Sequence, residues 1–198
     1  MDESADGVRP YRMDARARSA EKTWHRIVEA AAARFDQLLY DQVALVDVAA
    51  AAGVTVQTVL RRFGSKDELF AAVARQRSPD ARRCRDQAPV GDVAGAIDCL
   101  IQDYERVGAH TLHLLAQEQR TAAIAQAADS GRRYHRDWVA RVFTPQLVRL
   151  GPDAPELVLA QLIAVTDLYA WKVLREDAGL DPEQARAAVT GLVERILR

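Results

Sequence analysis

Val48-Ala49-Ala50-Ala51-Ala52-Gly53-Val54-Thr55-Val56-Gln57-Thr58-Val59-Leu60-Arg61-Arg62-Phe63-Gly64-Ser65-Lys66 is the stretch whose reading decides the fold. It opens as a short apolar helix, turns at a glycine and continues as a second short helix with donors on its polar side. Gly53 follows the alanine run and can take the left-handed conformation that ends a helix without a Cβ clash. Thr55 is placed to cap the second helix, and Val54 to fill the angle between the two. From Thr55, Val59 and Phe63 fall four and eight residues on and face inward. Val56, Gln57, Thr58, Arg61 and Arg62 are left to meet a groove of double-stranded DNA. Gln57 and Arg61 can each make two-pronged hydrogen bonds to base edges, and Val56 can touch a thymine methyl. Thr55, Thr58, Arg62 and Lys66 are assigned to phosphates. No cofactor is needed.

Outward from this turn, Trp24, Ile27, Val28, Ala31, Phe35 and Leu38 recur at three- and four-residue steps on a first helix; Asp47-Val48-Ala49 opens the second, and Phe63-Gly64-Ser65-Lys66-Asp67-Glu68-Leu69-Phe70 opens a fourth. Over roughly residues 20–72 this order resembles the DNA-binding end of the TetR family of bacterial transcriptional regulators. Leu39, Ala44 and Leu60 depart from it, standing where the family usually has a glycine, a hydroxyl cap and a tyrosine. Leu60 cannot hydrogen-bond a phosphate, whereas Arg62 could supply a charged contact instead. The resemblance implies an all-α protein: an amino-terminal helix-turn-helix three-helix head joined to a helical-bundle body that binds a ligand and dimerises. It also implies a repressor released from a palindromic or near-palindromic operator by a small organic effector. A helical DNA-architectural or adaptor protein without a ligand response is the competing reading.

The expected organisation is a flexible arm over residues 1–18, a head over 19–66 and a body over 67–198. The arm's Arg9, Arg12, Arg16 and Arg18 suit either a reach into an adjacent minor groove or a loosely held tail. Net charge is -1 over 198 residues, but residues 9–66 carry +4 and residues 67–198 carry -2. A positive amino-terminal part on a slightly acidic remainder suits a DNA module on a separate body. The 49% hydrophobic and 28% charged composition is that of a chain able to bury a core.

The first residues show no signal-peptide pattern, and the most apolar stretch, residues 157–174, is interrupted by Gln161, Thr166, Asp167 and Lys172. Both point to a cytoplasmic protein that does not enter a membrane. Cys84 and Cys99 stand 15 positions apart without a Cys-x-x-Cys pair, which reads as structural; a redox role would require them to be close and partly exposed. Gly-x-Ser-x-Gly, phosphate-loop, dinucleotide and His-Glu-x-x-His patterns are all missing from the chain, so no enzyme is indicated. His110 and His113 can share a helix face, with His135 on the next helix, but a metal site would have to recruit Glu118 or Asp137 without a motif, and none is assigned.

In the body, turn residues Gly108, Gly131, Gly151-Pro152, Pro155, Gly179 and Asp181-Pro182 predict helices over about residues 92–107, 109–128, 130–150, 155–177 and 182–197, after a fourth helix disturbed near Ser78-Pro79. Residues 157–174 are apolar all round and need cover on two faces, either as a central helix in a monomer or against a second subunit. A homodimer through this segment and the stripe of the last helix puts Leu168 and Leu192 at the interface. Tyr104, Trp138 and Phe143 are the expected wall of an effector cavity, with plain core packing as the alternative.

Overall fold

The structure is a computed structural model. It describes residues 8–150 and 155–198, with backbone alone for residues 8–17, 78–81 and 155. Ten α-helices follow in order among the described residues: α1 Val8–Gln37, α2 Leu45–Ala51, α3 Val56–Phe63, α4 Lys66–Gln87, α5 Val93–Leu115, α6 Ala122–Val142, α7 Thr144–Arg149, α8 Pro155–Val165, α9 Leu168–Lys172 and α10 Pro182–Ile196. No strand occurs among them, so the expected all-α class is the one observed. Contacts divide the chain into a head, Met1–Gln76, and a body, Arg77–Arg198, so the division falls inside α4, later than residue 66. α1 starts at Val8, inside the segment assigned to the arm, whose residues 1–7 lie outside the described residues. The α4 backbone runs through Ser78-Pro79 without a break.

The head is built on the stripe of α1: Ile27, Val28, Ala31 and Phe35 are buried with Val48, Ala49, Val59, Phe63, Leu69 and Phe70. Phe35, Tyr40 and Phe70 form an aromatic knot with ring centroids 5.1–5.8 Å apart. Such pairs add about 0.5–1.5 kcal/mol each beyond area burial.

The body core gathers Ile97, Leu100, Ile101 and Tyr104 of α5, Trp138, Val139 and Val142 of α6, Leu162 of α8, Leu168 and Trp171 of α9, and Val189 and Val193 of α10. Two helix ends predicted at glycines are not there. α5 continues through Gly108 because a Cβ at that position would lie 2.7 Å from the Trp171 ring, so the glycine serves close helix packing. α6 continues through Gly131, and the break between the two helices falls at residues 116–121, where the Thr121 hydroxyl caps α6 by accepting from Ile124 N at 3.2 Å. The predicted single helix over residues 155–177 is also divided. Asp167 turns the chain and caps α9 through Tyr169 N at 2.8 Å, and Val173–Asp177 closes as a π-helical turn.

A charged pair is buried in this apolar body. Arg85 Nε donates to Asp103 Oδ2 at 2.9 Å and Arg106 Nη2 to Asp103 Oδ1 at 3.1 Å. The Arg85 carbonyl accepts from Trp138 Nε1 at 3.0 Å and from Arg141 Nη2 at 2.7 Å. Beside it, Thr166 Oγ1 donates to Leu162 O at 2.6 Å, so the 3.1 Å contact with His135 assigns the proton to His135 Nε2. Burial, reinforced by the positive charge of Arg85 and opposed by Asp167, pushes the imidazole pKa down to about 4.

Two predictions follow from these packing facts. Gly108→Ala should destabilise by about 1–3 kcal/mol through overpacking against Trp171, whereas Gly131→Ala, with nothing within 4 Å of the new Cβ, should gain about 0.5–1 kcal/mol of helix propensity; urea unfolding of both variants checks this. For His135, the unfolded chain takes up a proton near pH 6.5 and the native chain only near pH 4. Its contribution is therefore intact above about pH 6.5 and is lost as pH falls toward 4, at up to about 1.4 kcal/mol per unit. His135→Gln should flatten the stability profile in that window relative to the parent.

Candidate nucleic-acid interface

The recognition element is α3. Gly53 adopts φ +62°, ending the preceding helix as expected, and Thr55 caps α3 by accepting from Thr58 N at 3.2 Å. Val59 and Phe63 are buried in the head, which fixes the rotation of α3 about its axis. The same rotation exposes Gln57 and Arg61 and leaves Val56 and Thr58 half-buried. Gly64 ends α3 at φ +79°. The basic residues of this short helix, Arg61 and Arg62, lie in its last turn, where they complement the helix dipole.

The residues assigned to phosphates divide into groups with different freedom. The Thr55 and Thr58 hydroxyls lie 3.0 Å apart and bond to one another, and each keeps capacity for an outside oxygen. Arg62 is half-buried, with its Nε buried and without a hydrogen-bond partner, so only the rest of its guanidinium can reach outward. Lys66 is engaged within the head. Its ammonium donates to Tyr40 O at 2.7 Å and Val43 O at 2.9 Å and lies 4.4 Å from the Tyr40 ring centroid. It ties together the two ends of the turn Tyr40–Gln42, through Tyr40 and the Val43 that follows it. Tyr40 OH donates to Asp67 Oδ1, and burial together with that carboxylate raises the phenol pKa. Sequence reasoning missed this Lys66, Tyr40 and Asp67 cluster because its members are 26 and 27 residues apart, and no local spacing marks it.

Leu60 is 43% exposed on α3, so an apolar side chain stands on the surface that would meet DNA. Ala44 begins α2 without any side-chain cap. Asp47 in the first turn of α2 still supplies negative charge at its amino end.

Residues 27–73 match the family model of bacterial regulatory proteins, tetR family. The head is a TetR-family domain. No curated protein matches the chain. Among solved structures, the chain is similar to a tetR-family transcriptional regulator from Streptomyces coelicolor, with 18% identity, TM-score 0.63, and coverage of 89% of this chain and 79% of that one. It is also similar to a transcriptional regulator from Rhodococcus sp. Rha1, at 21% identity, TM-score 0.64 and coverage of 90% and 96%. The multidrug binding protein EbrR, crystallised with imidazole, gives 23% identity, TM-score 0.58 and coverage of 85% and 93%. At these identities the three structures establish a common fold. The TetR-family head thus accounts for the position of α3, and the likeness in fold extends over most of the body.

Of the body residues assigned to an effector cavity or an interface, four are buried and Leu192 is exposed. Tyr104, Trp138 and Phe143 are all buried in the packed core. Tyr104 OH donates to Thr166 O at 3.0 Å, and the Trp138 indole is held by the Arg85 carbonyl. None of the three lines the groove of about 540 Å³ bordered by Asp98, Ile101, Gln102, Glu105, Arg106, Pro182, Glu183 and Arg186. Leu168 is only 6% exposed and packs within its own chain, while Leu192 is 40% exposed. Leu168 follows directly on Asp167, the residue that caps α9.

The head geometry gives distinct expectations for two basic residues. Arg61→Ala should lose about 1–3 kcal/mol of binding at particular base pairs. Lys66→Ala should instead lower head stability by about 1.5–3 kcal/mol, the worth of hydrogen bonds to a charged group, and leave the salt dependence of DNA binding nearly unchanged. Thermal unfolding and salt-titrated binding to a selected DNA sequence separate the two.

Proposed function

We propose that the protein is a transcriptional repressor that binds a palindromic or near-palindromic operator as a two-fold dimer. The observation that carries this reading is the rotation of α3: Val59 and Phe63 lock it into the head and leave Gln57 and Arg61 at the surface. Arg61 and Gln57 read base edges, with Val56 beside them. Thr55, Thr58 and the outer part of Arg62 touch phosphates. Such a protein acts by binding and conducts no chemistry, and the cytoplasm is where it would meet DNA.

One head reads too few base pairs for useful selectivity, which favours two heads on two half-sites. The apolar stretch Glu156–Asp177 supports a dimer from the other end of the chain. It spans 22 residues at mean hydropathy 1.5, enough by length and composition to cross a membrane, yet only 22% of its most apolar window is buried in the single chain. Leu157, Tyr169 and Val173 remain exposed on it, as does Leu192 on α10. A second copy would remove this surface from water.

Release by a small organic effector is supported by the likeness in fold to EbrR, a multidrug binding protein. The packed state of Tyr104, Trp138 and Phe143 favours the second reading, a constitutive DNA binder without a ligand response. Reciprocity separates them. An effector that lowers operator affinity roughly 5- to 150-fold must itself bind more weakly, by the same factor, when operator is present. A compound found by thermal shift whose affinity is indifferent to operator supports the constitutive reading.

The dimer is tested by sedimentation. A single species at 21.9 kDa at micromolar concentration, unchanged by operator DNA, would contradict it. Leu192→Glu should weaken association and leave the subunit folded, whereas Leu168→Glu should unfold it, because the first side chain is exposed and the second is in the core.

A further inference from the structure

Cys84 and Cys99 lie on different helices of the body, α4 and α5, and the structure joins them as a disulfide with a Cα–Cα separation of 5.2 Å. Both residues are half-buried, and neither is enclosed in the core. The bond sits beside the second link between the same helices: Cys84 precedes Arg85, Cys99 is four residues before Asp103, and Arg85 and Asp103 are themselves paired at 2.9 Å. On α5, residues four apart share a face, so the sulfur link and the ion pair form one seam. α4 is also the helix that begins in the head at Lys66 and ends in the body at Gln87.

We propose that Cys84 and Cys99 are a peroxide-oxidised, thiol-reduced modification site, and that closing it lowers operator affinity. The consequence for DNA rests on the DNA-binding function proposed above. In a reducing cytoplasm a close cysteine pair is held as two thiols, and disulfides that do form there are usually transient and redox-sensing. Oxidation proceeds in two displacements. One thiolate sulfur attacks a peroxide oxygen, the O–O bond breaks, and the sulfenic acid and water are formed. The second thiol then attacks the sulfenic sulfur, the S–O bond breaks, the S–S bond forms, and a second water leaves. Two thiols and one hydrogen peroxide thus become one disulfide and two waters, with two electrons passing from sulfur to peroxide. A dithiol reductant reverses the process. In the reduced form, the α4 and α5 seam depends on non-covalent contacts, including the ion pair. In the oxidised form the second half of α4 is fixed to α5, and conformations of α4 that separate the sulfurs are removed from those available for docking on an operator.

The test uses the full chain and an operator obtained by selection from random DNA. The reduced protein is titrated with hydrogen peroxide, and thiols are counted by maleimide labelling and intact mass under denaturing conditions. The expected result is two thiols before oxidation and none after, a loss of two hydrogens within one chain, and full recovery with dithiothreitol or at the cytosolic glutathione poise. Operator affinity, measured on reduced and oxidised parent protein, should fall at least roughly fivefold on oxidation. Cys84→Ser and Cys99→Ser should each abolish that fall, and the parent comparison stands even if a variant folds poorly. A bond between chains, a disulfide that glutathione leaves intact, or equal operator affinity in both redox states would overturn the proposal. Failure of the DNA-binding function would look different, as an absence of sequence-selective binding in either state.

Discussion

A guanidinium inside an apolar bundle has to be paired, and Arg85 is that constraint in this protein. Its side chain is placed against Asp103 on α5, and its carbonyl is taken by Trp138 and Arg141 on α6. Leaving a charge unpaired at such depth costs several kcal/mol, so α4, α5 and α6 are bound to one relative arrangement by desolvation as much as by apolar packing. His135 and Tyr104 lie close to it. Burial, reinforced by the Arg85 charge, holds the imidazole pKa down to about 4, and burial raises the pKa of the Tyr104 phenol against the opposing charge of Arg85; the Tyr104 hydroxyl donates to Thr166 O. The aromatic residues of this region therefore have positions to hold within the core.

The head solves a different problem with similar means. The carbonyls of Tyr40 and Val43, at and just after the turn Tyr40–Gln42, accept from Lys66, the first residue of α4. This couples the start of α4 to the Phe35, Tyr40 and Phe70 cluster. α3 is held through Val59 and Phe63, so its exposed residues owe their direction to buried ones. The surface that would read DNA is consequently small: Gln57 and Arg61 fully outward, with the threonines and Arg62 at its margin.

The two units leave different kinds of surface exposed. The head presents polar donors on a rigid helix. The body presents apolar side chains, Leu157, Tyr169, Val173 and Leu192, on elements that pack against one another. Donors suit an anionic polymer with patterned base edges, and an uncovered apolar face suits a copy of itself. The α4 helix, running from Lys66 to Gln87 without a break, joins the two units covalently.

The sequence by itself determined the helix-turn-helix, because the information there is local: a glycine able to take φ +62°, a threonine able to cap, and apolar residues at four-residue spacing. It also determined the all-helical class and the apolar character of residues 157–174. Only the tertiary structure decided what Gly108 is for, since a glycine that stops a helix and one that admits the Trp171 ring have the same local signature. The same holds for Lys66, whose partners are 26 and 23 residues away, and for Leu168, buried in the body core. The pairing of Cys84 with Cys99 belongs with them, as 15 residues of sequence separate two sulfurs that helix packing brings together. Periodicity assigns a side chain to a face of its own helix; which neighbour covers that face depends on long-range burial and charge pairing, and these exist only once the helices are packed.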